Sequence, residues 1–170
     1  MSEDFKKNAC RGSLRQAINA RCRPEKTMNT LDTVTKDIVD LHVFFVDWFT
    51  GAAARSDLEE RFLQRMDPGV TFISPEGETL TRDMLKQGFE QGYGRNPDFR
   101  IQIRDVDVRW ERDDLVLATY TEWQIGASGA DAKNARISSV LMQMSKPPVW
   151  LHIQETWLPK GLVEASAFDI

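Results

Sequence analysis

Apolar residues recur along this chain with two spacings, and each spacing predicts a different element. Leu31, Val34, Ile38, Leu41, Phe45 and Trp48 fall on one face of a 3.6-residue repeat. Toward Phe49 the stripe widens, because Val43, Phe44, Val46 and Phe49 leave Asp40, His42 and Asp47 as the polar positions. A helix apolar on most sides packs on two partners. This one is predicted over Leu31–Phe49, with Gly51 as its stop. Ser56-Asp57-Leu58-Glu59 has the form of a capping box opening a short helix that carries Leu58, Phe62 and Met66, broken by Asp67-Pro68-Gly69. Val70–Ile73 reads as a short strand, Ser74-Pro75-Glu76-Gly77 as a turn, and Glu78–Leu80 as its return. Thr81 caps a third helix from Arg82 to about Tyr93, burying Met84 or Leu85 and Phe89.

From Asp98 to Pro159 the period changes to two. FRIQIRDVDVRWE, LVLATYTEWQIG, ARISSVLMQM and VWLHIQETWLP are rich in β-branched and aromatic residues. Alternation places Val116, Ala118, Tyr120, Glu122 and Gln124 opposite Leu115, Leu117, Thr119, Thr121 and Trp123. Arg136, Ser138, Val140 and Met142 oppose Ala135, Ile137, Ser139 and Leu141. In the last strand Trp150, His152, Gln154 and Thr156 oppose Leu151, Ile153, Glu155 and Trp157. Neither face is cleanly polar, so both are expected to be covered. Glu111–Asp114, Gly126–Asn134 and Lys146-Pro147-Pro148 are short links that suit antiparallel neighbours.

Composition narrows the class. With 170 residues, 41% hydrophobic and 28% charged, the chain is expected to form one globular domain. No apolar run approaches the roughly 20 residues of a membrane helix, so no membrane partner is expected. The net charge of −4 is uneven: residues 1–28 carry +4 and the remainder −8. An acidic body argues against a nucleic-acid groove. Residues 1–28 read as a solvated basic arm, with a short helix over Leu14–Arg21 ended by Pro24. Cys10 and Cys22 make neither a disulfide framework nor a zinc site, and their expected state is the reduced thiol of a cytoplasmic protein.

Helix, helix, short hairpin, helix and a meander of long strands form an order similar to that of the nuclear-transport-factor-2-like superfamily. TFISPEGETLTRDML resembles its short hairpin and following helix, NARISSVLMQM its penultimate strand and VWLHIQETWLP its closing strand. The resemblance covers about Thr30 to Pro159. The superfamily includes SnoaL-like polyketide cyclases, ketosteroid isomerases, scytalone dehydratases and the association domain of calcium/calmodulin-dependent kinase II. It implies an α+β fold of the cystatin-like kind: a cone-shaped curved antiparallel sheet wrapped by three N-terminal helices around an apolar pocket. It also implies a homodimer through the outer sheet face. The domain is expected over 29–160, with 161–170 as a C-terminal tail.

Polar residues in apolar stretches are the candidates for chemistry. His152 could transfer protons near neutral pH, or be a structural or interface histidine. His42, in the aromatic helix, reads as structural. Glu122, Arg136 and Glu155 lie in central strands, where buried charges are costly unless paired. They are either a cross-strand ion pair or an acid–base group in an apolar pocket, with Arg136 holding an anionic oxygen. Trp48, Phe72, Tyr93, Trp110, Trp123 and Trp157 could line a pocket for a flat ligand, or fill core and interface. Two lone histidines give no metal site, and no phosphate loop or nucleophile elbow is present, so neither metal nor cofactor is expected. The relatives' catalytic Asp, Tyr or His groups have no recognisable counterparts, since no acid pairs by motif with Tyr93 or Tyr120, the two tyrosines. The resulting reading is a binder of a small hydrophobic or aromatic molecule, in its enzyme form a cofactor-free isomerase, cyclase or dehydratase using general acid–base catalysis. The alternative is a non-catalytic oligomerisation or protein-interaction module resembling the kinase association domain.

Overall fold

The computed structural model describes residues 29–127 and 129–166. The expectations for Leu14–Arg21, Cys10 and Cys22 lie outside the described residues. The elements run α1 (Thr30–Thr50), α2 (Asp57–Arg61), β1 (Met66–Ile73), β2 (Thr79–Thr81), α3 (Arg82–Gly92), β3 (Arg100–Arg112), β4 (Leu115–Gly126), β5 (Gly129–Gln143), β6 (Val149–Trp157) and α4 (Lys160–Ala165). One six-stranded sheet has the order β2-β1-β6-β5-β4-β3. All neighbours are antiparallel except β1 and β6, which run parallel. The sheet curves around α1 to form a cone, and the main apolar core lies between them.

Period-two alternation explains which face is inner. Val116, Ala118, Tyr120, Glu122 and Gln124 are all buried. Their cross-strand partners on β5, from Met142 to Arg136, share that face. Bulges supply the curvature. In β3 the register shifts between Arg104 and Asp107, where Asp105 has φ 55° and accepts a hydrogen bond from the Thr121 hydroxyl at 3.0 Å. At the wide end, Gly126 (φ 82°) lets β4 approach the loop before β3. A Cβ there would stand 2.7 Å from the Asp98 carbonyl oxygen.

Several local expectations change. Ser56 has ψ −21° and makes no side-chain cap, so the capping box does not form. A helical ψ turns the hydroxyl away from the first-turn N–H groups, and it meets the Asp57 carboxylate at 3.3 Å instead. Met66 begins β1 rather than ending a helix, and Asp67-Pro68-Gly69 lies within that strand at a register irregularity. Thr81 does cap α3, accepting from the Met84 N–H at 3.4 Å. α3 buries no residue fully. Its apolar side closes over the cone mouth. Residues 160–165 form α4, whose Val163 packs against Trp123 and Ala135 on the outer face.

Candidate functional site

The cone holds an apolar cavity of about 310 Å³. Phe45 and Phe49 reach it from α1, Phe72 from β1, Phe89 from α3, and Phe62 and Phe99 from the connections. Phe45, Phe49, Phe62, Phe89 and Phe99 brace one another edge-on, tilted or stacked, Phe45 against Phe89 at 4.9 Å and Phe62 against Phe89 at 4.1 Å between centroids. Met84, Leu85 and Gly88 of α3 form the mouth.

Polar side chains converge at one place on this wall. Glu122 of β4 is fully buried and Glu155 of β6 is 5% exposed. Arg136 of β5 stands between them. Its Nε and Nη2 donate to Glu122 at 3.0 and 2.9 Å, and Nε lies 3.1 Å from Glu155 Oε2. Gln124 donates to Glu122 Oε1 at 2.6 Å, and the Ser138 hydroxyl donates to Glu155 Oε1 at 3.3 Å. The cross-strand register Glu122↔Arg136 and Ser138↔Glu155 produces this cluster. α1 adds His42, whose Nδ1–H donates to the Ile38 carbonyl oxygen at 2.7 Å. Its Nε2 lies 3.3 Å from Glu122 Oε2 and 3.5 Å from the Tyr120 hydroxyl.

The two carboxyls are driven apart. Burial pushes Glu122 up, but Arg136, His42 and the hydrogen bonds outweigh it and hold Glu122 low, at about 2. Burial also pushes Glu155 up. There a single Arg136 contact is opposed by the charge of Glu122, and the carboxyl rises to about 7. Burial pulls Arg136 down, and attraction to Glu122 and Glu155 more than restores it. Tyr120 is raised well above its ordinary value by burial and by the two carboxylates. Glu155 Oε2 is buried without a hydrogen-bond partner. The site therefore holds one firmly ionised carboxylate and one carboxyl poised to gain or lose a proton, a separation that suits acid–base work.

Of the sequence candidates, the structure brings Glu122, Arg136, Glu155 and Phe72 to the cavity wall. His152 is elsewhere. β6 bulges at Leu151, so Met142 pairs with Trp150 while Leu141 pairs with His152. Trp150 and Ile153 both turn inward, and His152 turns to the outer face. Trp48 sits behind the wall, donating to the Phe89 carbonyl at 2.7 Å, and Tyr93 donates to the Ala53 carbonyl at 2.7 Å. Trp110 and Trp123 belong to the outer face, the latter under α4. Trp157 lies at the rim, where its indole donates to Glu76 at 2.8 Å. Sequence reasoning did not place His42, Tyr120, Gln124 or Trp150 at the site. His42 could have been found, since it follows Ile38 by four residues on the buried stripe. Tyr120 and Gln124 flank Glu122 at period two.

No family model matches the chain, and no curated protein matches it. Solved structures do. An NTF-2-like protein of unknown function from Pseudomonas aeruginosa is 25% identical, covering 75% of this chain and 99% of that one at a TM-score of 0.69. An NTF2-like protein from Cytophaga hutchinsonii is 14% identical over 77% of this chain and 100% of that one, with a TM-score of 0.58. A calcium/calmodulin-dependent kinase II hub homology domain from Chlamydomonas reinhardtii is 15% identical over 75% and 97%, with a TM-score of 0.57. The fold is nuclear-transport-factor-2-like and cystatin-like, as the sequence resemblance implied. Among the described residues, no helix is long and apolar enough to cross a membrane.

Proposed function

We propose that this protein binds a small, mainly apolar molecule in the cone, and that Glu155 serves that molecule as general acid or base. The observation that carries this reading is a buried carboxyl in a mainly apolar cavity, one oxygen of which takes no hydrogen bond and lies 3.1 Å from Arg136 Nε. Such a carboxyl costs stability unless something meets it. Arg136 and Ser138 hold it in place, and His42 completes the cluster from the helix side through Glu122. Isomerisation, cyclisation and dehydration all need a proton moved at a carbon or oxygen in a dry site, and no cofactor is required for that step.

Gly88 supplies the test. An added Cβ there meets nothing within 4 Å, and the position lies at the mouth beside Met84 and Leu85. Gly88→Leu should narrow the mouth while improving helix propensity by about 1 kcal/mol. In a thermal-shift screen of aromatic acids, polyketides and terpenoids, a ligand at a hundred times its Kd adds about 2.7 kcal/mol to wild type. The expected result is hits on wild type that weaken at least tenfold in Gly88→Leu. Hits unaffected by that substitution would move the ligand out of the cone.

Self-association is a compatible second reading. Trp110, Leu117, Leu141 and His152 form one cross-strand row on the outer face. Trp110 is 46% exposed and nearby Ile137 39%. We assign this row to a homodimer contact, and a purely structural association module would use the same face. Light scattering should give twice the chain mass of 19.5 kDa for wild type, and the single mass for Leu141→Glu. A monomeric wild type would remove the dimer.

A further inference from the structure

We infer that Trp150 closes the narrow end of the cavity and sets the size of ligand the cone accepts, and that Asp37 and Arg65 are the positioning pair that holds its ring there. This rests on the reading of the cone as a ligand pocket and adds the residue that limits it. Depth along the elements carries the inference. On β4 the cavity wall stops at Tyr120, and Ala118 and Val116 beyond it are fully buried core. On β5, Val140 and Met142 are core in the same way. On α1 the wall begins at Leu41, one turn above Asp37, and Ile38 and Val34 have no exposure. Trp150 pairs with Met142 on β5 and with Met66 on β1, so its backbone stands at core depth. Its side chain still lines the cavity. An indole rooted in the core and reaching the cavity from below is its floor.

The choice of acceptor fixes that floor. A buried tryptophan needs a partner for its N–H, and a backbone carbonyl serves Trp48. Trp150 donates instead to a carboxylate, Asp37 Oδ2, at 2.8 Å. Asp37 is 5% exposed, and a buried carboxylate is costly unless paired. Arg65 pairs with Asp37 Oδ1, and Arg65 Nε donates to the Pro148 carbonyl at 3.2 Å. These contacts join α1, the helical turn Leu63–Arg65, the β5–β6 connection and the indole into one unit. A buried ion pair is weak evidence of stability, since apolar side chains of similar volume often do as well or better. Its effect here is orientation. Without Asp37 the indole N–H must turn toward another acceptor, and the depth of the cavity changes with it. The class selected is therefore compact. Mainly apolar molecules that fit about 310 Å³ enter, and longer homologues of the same chemistry are stopped by the floor.

The probes are uncharged ω-phenylalkan-1-ols of increasing chain length, titrated calorimetrically against the full chain, with Gly88→Leu as the blocked control. Each methylene that enters the cone is expected to tighten binding about fourfold, until the chain meets the floor and the gain stops. The gain should continue for about two further methylenes in Trp150→Leu and about one in the milder Trp150→Phe, because each opens the space the indole filled. Asp37→Asn keeps an acceptor for the indole and should keep the wild-type limit. The double variant Asp37→Leu, Arg65→Met strands no charge, and in it the gain should run past that limit. A merely structural Trp150 would lower the melting temperature and leave the limit where it is. Affinity that rises along the whole series in wild type, or a limit unmoved in both Trp150 variants, overturns the floor and leaves the pocket standing. A limit unmoved in the double variant, or moved as far in Asp37→Asn, overturns the positioning pair. If no alcohol binds wild type better than Gly88→Leu, the pocket reading falls and takes the inference with it.

Discussion

Arg136→Met is expected to lower the unfolding free energy by about 3–5 kcal/mol at pH 7, the range for removing one partner of a buried ion pair. Arg136 is the guanidinium that touches both Glu122 and Glu155. Methionine fills much of its volume but leaves two carboxyls buried side by side, one of them with no solvent exposure at all. Either they ionise without compensation or they take up protons that the unfolded chain would not hold at that pH. Both outcomes lower stability. The double variant Arg136→Met, Glu122→Gln should recover at least 1 kcal/mol relative to additivity, because the group left unpaired has itself been removed. The contrast is the Arg61–Asp47 pair, 3.6 Å apart with both side chains about two-fifths exposed, which belongs to the class worth under about 1 kcal/mol. Urea denaturation of wild type and both variants decides the matter. A loss below about 1 kcal/mol for Arg136→Met would mean that water reaches the cluster and that the wall is not dry.

The fold was legible because its two periods are clean. The row from Val116 to Gln124 alternates without interruption, so the whole inner face of β4 could be sorted from the sequence, and Glu122, Arg136 and Glu155 stood out as charges among apolar neighbours. What could not be read depends on other elements. The bulge at Leu151 is set by how β6 matches β5 and β1, and it alone moves His152 outward and Trp150 inward. The aromatic wall was misjudged for a chemical reason. Tryptophan carries an N–H that must find a partner when buried. Trp48, Trp123 and Trp157 find theirs on the Phe89 carbonyl, Thr121 and Glu76, and none of the three lines the cavity. Trp150 is the exception, since its indole N–H finds Asp37 while its ring stays on the cavity wall. Phenylalanine has no such need, so phenyl rings from separate parts of the chain converge on the empty space. Nothing in the local sequence of Phe62, Phe89 or Phe99 announces that convergence.

Glu155→Gln is expected to make the protein more stable at pH 8 and to leave it nearly unchanged at pH 5. The sign follows from which state holds the proton. In the unfolded chain Glu155 titrates at its ordinary value of 4.5, and in the folded protein at about 7. Between those values the folded state keeps a proton that the unfolded state has lost, so stability falls as pH rises through the window, by about 1.4 kcal/mol per pH unit. The full loss, about 3 kcal/mol, is in place above pH 7. Glu122 acts in the opposite direction and in another range. Held at about 2, it contributes stability that is complete above pH 4.5 and is lost as pH falls toward 2. The two effects are separable in one titration, because Glu155→Gln removes only the upper one. Chemical denaturation at pH 5, 6, 7 and 8 should give a difference between variant and wild type that opens from near zero to about 3 kcal/mol. Parallel curves across that range would show that Glu155 is ionised throughout, and the acid invoked for the cone would not exist. A difference that opens as expected would mean that wild type carries, at neutral pH, a carboxyl that weakens its own fold. A glutamine in its place would keep the shape and remove that cost, so the acid's use lies in what enters the cavity beside it.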